Sequence, residues 1–132
     1  MIRLSRSSLS ALLCAGLLAG PALAMGPQDY QAAQRQLRAE WRATEPLCDA
    51  LNDVDEDLCE TALEGAARIQ QADLKLQYQP SERHREQLRR AVARYTYEVS
   101  KEKCDRLDGA AERACEQAAR RDFAAARVAE RP

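Results

Sequence analysis

The sequence predicts an all-α fold of two tandem α-hairpins, each clasped by a disulfide, after a cleavable signal peptide. Three observations support this prediction. The chain of 132 residues is rich in alanine, the best helix former, and has only five Gly and five Pro. A Cys-x10-Cys pattern occurs twice, first between Cys48 and Cys59 and again between Cys104 and Cys115. The chain opens with a short apolar segment of the kind that directs export.

Residues 1–24 have the three parts of a secretory signal peptide. Arg3 and Arg6 form a basic start, an apolar run follows, and Ala-Leu-Ala at residues 22–24 is a small-x-small cleavage site. The apolar run is shorter than the roughly 20 residues that span a bilayer as a helix. We therefore expect cleavage after Ala24, a periplasmic or secreted protein, and no stable membrane span after cleavage.

Pro80 divides the mature chain into residues 25–80 and residues 81–132, and each part holds one copy of the cysteine pattern. When segments 48–62 and 104–118 are aligned, seven of 15 residues are identical. Ser81 follows the proline and can cap a new helix. The alternative is one long middle helix in which Pro80 causes only a kink, since a proline does not always end a helix.

The spacing of apolar residues predicts four helices, at residues 27–51, 55–79, 81–107 and 110–129. Pro46 lies within the first of them and predicts a kink or a restart near residues 44–46. Asp57, with Glu60 three residues later, predicts a capping box near the start of the second helix.

The four mature cysteines are an even number in an exported chain, which predicts two disulfides. On an unbroken helix each pair would lie about 16 Å apart, so two antiparallel helices could be joined by Cys48–Cys115 and Cys59–Cys104. A turn within each pair would instead allow the local bonds Cys48–Cys59 and Cys104–Cys115. We favour the local bonds because turn signals lie between the cysteines. The predicted turn residues are Asn52, Asp53, Asp108 and Gly109.

Charge is divided unevenly between the two parts. Residues 25–80 contain five basic and 11 acidic residues, whereas residues 81–132 contain 13 basic and 10 acidic residues. Opposite net charges favour packing of the two halves against each other, or pairing of two chains in a homodimer. Neither half is basic enough to predict a nucleic-acid partner, and export argues against one.

The sequence predicts no metal site. Asp53, Asp55 and Asp57 imitate a calcium-binding loop, but Leu58 occupies the position at which that loop requires glycine. We interpret this segment as an acidic capped turn. Zinc-binding cysteines are usually separated by two to four residues, a spacing that the mature chain does not have.

No catalytic motif is found, so we predict a protein that is not an enzyme and uses no cofactor. The only histidine, His84, lies in a strongly charged segment and is expected to be solvated. Trp41 and Tyr97 occupy aligned positions, each seven residues before the first cysteine of its copy. We expect both to pack on the clasped hairpins, with contact to a ligand as the alternative.

The segment YEVSKEKCDRLDGAAERACEQAAR, preceded by LKLQYQPSERHREQLRRAVARY, resembles small exported proteins of proteobacteria, mainly of the β group. These Ala- and Lys-rich proteins repeat a pattern like A-x-x-x-C-x-x-L-x-G-x-x-x-x-x-C-x-x-x-A. The likeness covers nearly all of the mature chain, although Asp53 replaces the glycine in the first copy. The resemblance implies an exported helical protein of the cell envelope.

These observations lead to two functional expectations. The first is a non-enzymatic, periplasmic helical protein with a binding or structural role in the envelope, connected with stress, whose partner is a protein or an envelope component. The alternative is a small holdase-like chaperone. That alternative is suggested by the shortage of large apolar residues, which predicts a thin core.

Overall fold

The computed structural model describes residues 25–129, which form four α-helices and no strand. The helices are α1 (Pro27–Cys48), α2 (Asp53–Tyr78), α3 (Glu82–Cys104) and α4 (Gly109–Ala129). The all-α fold class is therefore confirmed. The predicted signal peptide lies outside the described residues. Over the described range, none of the helices combines the length and the apolar character needed to cross a membrane.

The helix ends follow local chemistry. Gly26 is the N-cap of α1 and Pro27 fills its first position, where the missing N–H of proline does no harm. Pro46 lies inside the last turns of α1, which continues to Cys48, so the predicted restart near residues 44–46 is not observed. Asn52 caps α2 and accepts a hydrogen bond from the backbone N–H of Asp55. The cap is thus five residues earlier than the predicted capping box.

A break at Pro80 separates α2 from α3, and a single long middle helix is not formed. Ser81 caps α3 as predicted, because its hydroxyl accepts a 3.1 Å hydrogen bond from the backbone N–H of His84. The ring Nδ1 of His84 lies 2.6 Å from the carbonyl oxygen of Gln79, which ties the start of α3 to the end of α2.

The helices pack only against their neighbours in the chain: α1 on α2, α2 on α3, and α3 on α4. Within the described range, α1 and α4 do not meet, so the chain forms an open array instead of a closed four-helix bundle. Neighbouring helices are antiparallel, since paired residue numbers rise on one helix as they fall on the next. The pairs are Tyr30–Tyr78 and Trp41–Gln70, then Asp55–Arg106 and Arg68–Glu98, then Tyr97–Phe123 and Cys104–Cys115.

The two hairpins meet along α2 and α3. Gly65 of α2 is buried and lies directly against the ring of Tyr95 of α3. The Arg68 guanidinium pairs with the Glu98 carboxylate further along the same interface. The absence of a side chain at Gly65 lets the two helices approach closely. The prediction that the two halves lie against each other is met within one chain.

The core is thin. Only five apolar residues in the described range are buried, and the two that are completely enclosed are Cys48 and Cys104. The other three are Leu74, Ala93 and Ala119. Because small side chains bury little apolar area, disulfides are an effective supplement to the stability of this fold.

Candidate functional site

Both disulfides join cysteines within one hairpin. Cys48 bonds Cys59 and Cys104 bonds Cys115, in each case with Cα atoms 5.5 Å apart. The predicted local pairing is confirmed, and the alternative cross-links are not formed. One sulfur of each bond is completely buried. Each disulfide joins the end of one helix to the next helix, just beyond the turn. We call this end of the array, residues 47–60 and 103–116, the clasp end.

The predicted turn residues lie between the bonded cysteines. Asn52 and Asp108 precede α2 and α4, whereas Asp53 and Gly109 are the first residues of those helices and so lie beyond the turn proper. Gly109 has φ of +59°, a left-handed conformation that residues with a side chain rarely adopt. Asp53 occupies the equivalent place without a positive φ, and Asn52 before it supplies a side-chain cap for α2.

The two aligned aromatic residues, Trp41 and Tyr97, each pack on the second helix of their own hairpin. The Trp41 indole N–H donates a 2.8 Å hydrogen bond to Gln70 Oε1. Tyr97 stacks on Phe123 with ring centroids 5.0 Å apart. Both side chains remain half-buried, so each also forms part of a groove wall.

The groove beside Tyr97 runs between α3 and α4 and has a volume of about 570 Å³. Its wall is mainly apolar, and only Arg89 and Asp122 bring charge to it. Val92 on this wall is 44% exposed. The remaining lining residues are Leu88, Ala93, Thr96, Tyr97, Ser100, Ala119, Phe123 and Ala126.

The first hairpin has a different groove between α1 and α2. It measures about 640 Å³, and five charged residues line it alongside Trp41, Leu63 and Ala67. The sequence explains the difference. Val92 and Phe123 in the second hairpin align, 56 positions apart, with Gln36 and Ala67 in the first. In the described residues the repeat therefore preserves the clasp, whereas the groove beside Tyr97 is mainly apolar and the groove beside Trp41 is mainly charged.

A cluster of three carboxylates lies beside each disulfide. In the first copy the cluster is Asp49, Glu56 and Glu60, whose oxygens lie within 4.8 Å of one another. Glu60 is exposed, but desolvation by its neighbours, followed by the charges of Glu56 and Asp49, raises the pKa of its carboxyl. The cluster recurs 56 positions later as Asp105, Glu112 and Glu116.

Unlike the first cluster, the second cluster forms ion pairs with basic side chains. Lys101 pairs with Asp105, and Arg120 pairs with Glu116. No ion pair in the described residues involves Asp49, Glu56 or Glu60. Neither cluster was predicted from the sequence, although acidic residues occupy the same three positions in both copies of the repeat. The segment interpreted as an acidic capped turn is therefore the more negatively charged of the two hairpin ends.

At the opposite end of the array, the arginines of α3 are largely paired on the surface. Glu82 bonds Arg85 and Arg89, and Glu86 bonds Arg89 and Arg90. These hydrogen bonds lower the pKa of both carboxyls. This arrangement is a solvated, ion-paired helix face, as expected for such a segment.

No family model, curated protein or solved structure matches the chain. Two internal disulfides are typical of proteins that fold in an oxidising compartment.

Proposed function

We propose that the protein is a non-enzymatic, helical binding protein of the periplasmic cell envelope. The observation that carries the proposal is the open apolar groove between α3 and α4. Its volume of about 570 Å³ lies within the usual range of small-molecule and side-chain binding pockets. The residues that line it include no nucleophile paired with a base. Binding is therefore the activity that this groove supports best.

The physical basis of binding is the removal of apolar surface from water. Each square ångström of apolar surface that an occupant covers contributes about 25 cal/mol. The Tyr97–Phe123 stack offers a flat aromatic wall, and Val92 offers an aliphatic one. Arg89 and Asp122, which also line the groove, can orient a polar group of the occupant. The predicted signal peptide and the two disulfides support a periplasmic location.

A neutral apolar fluorophore, N-phenyl-1-naphthylamine, tests the proposal. The oxidised mature protein should bind it saturably. Val92→Glu, which places a carboxylate in the apolar wall, should weaken the dissociation constant about tenfold or more, since an unpaired charge there would be desolvated by the occupant. Val128→Glu is the matched control, because Val128 is 66% exposed and does not line the groove.

Circular dichroism spectra of the two variants should match that of the wild type. The proposal is wrong if the fluorophore does not bind saturably, or if both variants weaken binding equally.

A holdase-like chaperone is the second candidate function. The exposed apolar side chains at the clasp end and along α3 favour it, since such surface can hold unfolded clients. Light scattering from an unfolding client, measured at neutral and acidic pH, separates the two candidates. Suppressed scattering would support the chaperone, whereas unchanged scattering at both pH values would exclude it.

A further inference from the structure

Exposed large apolar side chains are concentrated at the clasp end. Among the described residues, six large apolar side chains are exposed, and four of them belong to the clasp end. Leu47 is 66% exposed, Leu51 and Val54 are each 45% exposed, and Leu107 is 41% exposed. Exposed apolar groups that lie together on one end of a molecule typically mark an interaction surface. We call these four side chains the clasp-end patch.

The backbone beneath the patch is fixed by the disulfides. The backbone N–H of Leu51 donates a 2.9 Å hydrogen bond to the carbonyl of Cys48, and that of Leu107 donates a 2.8 Å bond to the carbonyl of Cys104. Both cysteines are completely buried and disulfide-bonded. The two leucines occupy aligned positions of the repeat. The clasps thus present two equivalent leucines on rigid turns, which lowers the entropy lost on binding.

An ion pair holds the two turns side by side. The Arg106 guanidinium of the second turn bonds the Asp55 carboxylate of the first. Val54 precedes Asp55 and Leu107 follows Arg106, so this ion pair brings together the backbone segments that carry these two apolar residues. Both copies of the repeat therefore contribute residues to the clasp-end patch.

The surroundings of the patch are strongly acidic. Residues 49–60 contain six acidic and no basic residues, and residues 105–116 contain four acidic and two basic residues. Within the described chain, Asp49, Asp53, Asp57 and Glu60 form no ion pair. The field around the patch attracts cations and repels anions.

We propose that the clasp-end patch docks a basic amphipathic segment of another polypeptide, with apolar side chains on the leucines and Lys or Arg beside the carboxylates. The inference goes beyond the proposed function, because the patch is a separate surface from the groove between α3 and α4. A second copy fits poorly, because two clasp ends would bring like charges together. The acidic surroundings also disfavour a membrane surface rich in anionic lipid.

Three short model peptides test the proposed chemistry by isothermal titration with the oxidised mature protein. A helical peptide of leucine and lysine should bind saturably, and its affinity should fall as salt is added. A peptide with the same leucines but glutamate in place of lysine should not bind. A peptide of serine and lysine should bind at least about tenfold more weakly than the first. Equal binding of the lysine and glutamate peptides would overturn the proposal.

The double variant Leu51→Ser/Leu107→Ser tests the location. It should weaken binding of the leucine–lysine peptide about tenfold or more, because it removes two of the four apolar side chains of the patch. Val128→Ser is the matched control at an exposed valine outside the patch and should change nothing. Unchanged binding by the double variant would place the peptide elsewhere and overturn the proposal.

Two further measurements distinguish peptide binding at the patch from binding in the α3–α4 groove and from self-association of the protein. Val92→Glu should leave peptide binding intact; if it abolishes binding, the peptide occupies the groove, and the inference fails while the proposed function stands. Sedimentation of the protein alone should show the same mass for wild type and double variant. A wild-type dimer that the double variant loses would make a second copy the occupant and overturn the proposal.

Discussion

Gly65→Ala is expected to destabilise the protein, although alanine normally strengthens a helix. In an unhindered helix interior this change would stabilise by about 0.8–1 kcal/mol. Here a Cβ at position 65 would lie well under 3.0 Å from Tyr95 Cδ2 and 3.3 Å from two further ring atoms. Forcing an extra carbon into a packed interface costs about 1–3 kcal/mol. We therefore expect a net loss of about 1 kcal/mol, with 2 kcal/mol as the upper value.

Urea unfolding followed by circular dichroism at 222 nm (the usual helix signal) measures the change, with the slope m unchanged and the midpoint lowered. Tyr95→Leu provides the second arm of a double-mutant cycle, because it removes the ring that Cβ would meet. In that background Gly65→Ala should be neutral or stabilising. If Gly65→Ala stabilises the wild-type chain, α2 and α3 are not in close contact at this point.

Three further predictions concern the clasp, the helix cap and pH. Replacing Cys104 and Cys115 together by serine should lower the free energy of unfolding by about 2–3 kcal/mol, measured by urea unfolding, and an unchanged midpoint would contradict a stabilising clasp. Asn52→Ala should cost about 1 kcal/mol in the same assay, and no loss would show that the cap is not formed. The pKa of Glu60 is raised, so its charge opposes folding at neutral pH. Glu60→Gln should therefore stabilise the protein at neutral pH, and this gain should vanish as the pH falls through the raised pKa. The pKa of Glu82 is lowered, so Glu82→Gln should destabilise the protein at neutral pH and have no effect in acid. A change in the free energy of unfolding that has the same sign for both variants would contradict these pKa shifts.

The fold class and the clasps follow from short-range features of the sequence. Alanine content sets helix propensity, and the glycine at position 109 marks a turn between Cys104 and Cys115. A turn between two cysteines leaves them close enough to bond, so the local disulfides could be predicted. Pro80 and Ser81 similarly locate the break between the hairpins.

Features that depend on the packing of distant residues could not be predicted in this way. The sequence around Gly65 does not predict that Tyr95 is its neighbour, so the close approach of α2 and α3 was not predicted. The α3–α4 groove was missed for the same reason, since its walls belong to two separate helices. Pro46 was expected to kink α1 or to restart it, but the helix continues to Cys48 and lacks only the one backbone hydrogen bond that the proline nitrogen cannot donate.

The groove between α3 and α4 is the proposed binding site of the protein. The most direct test is a two-dimensional NMR titration of the oxidised mature protein with N-phenyl-1-naphthylamine. Saturable chemical-shift changes are expected at four residues that line the groove, Val92, Thr96, Tyr97 and Phe123. Shifts that spread over α1 and α2, or that fail to saturate, would contradict binding in the groove.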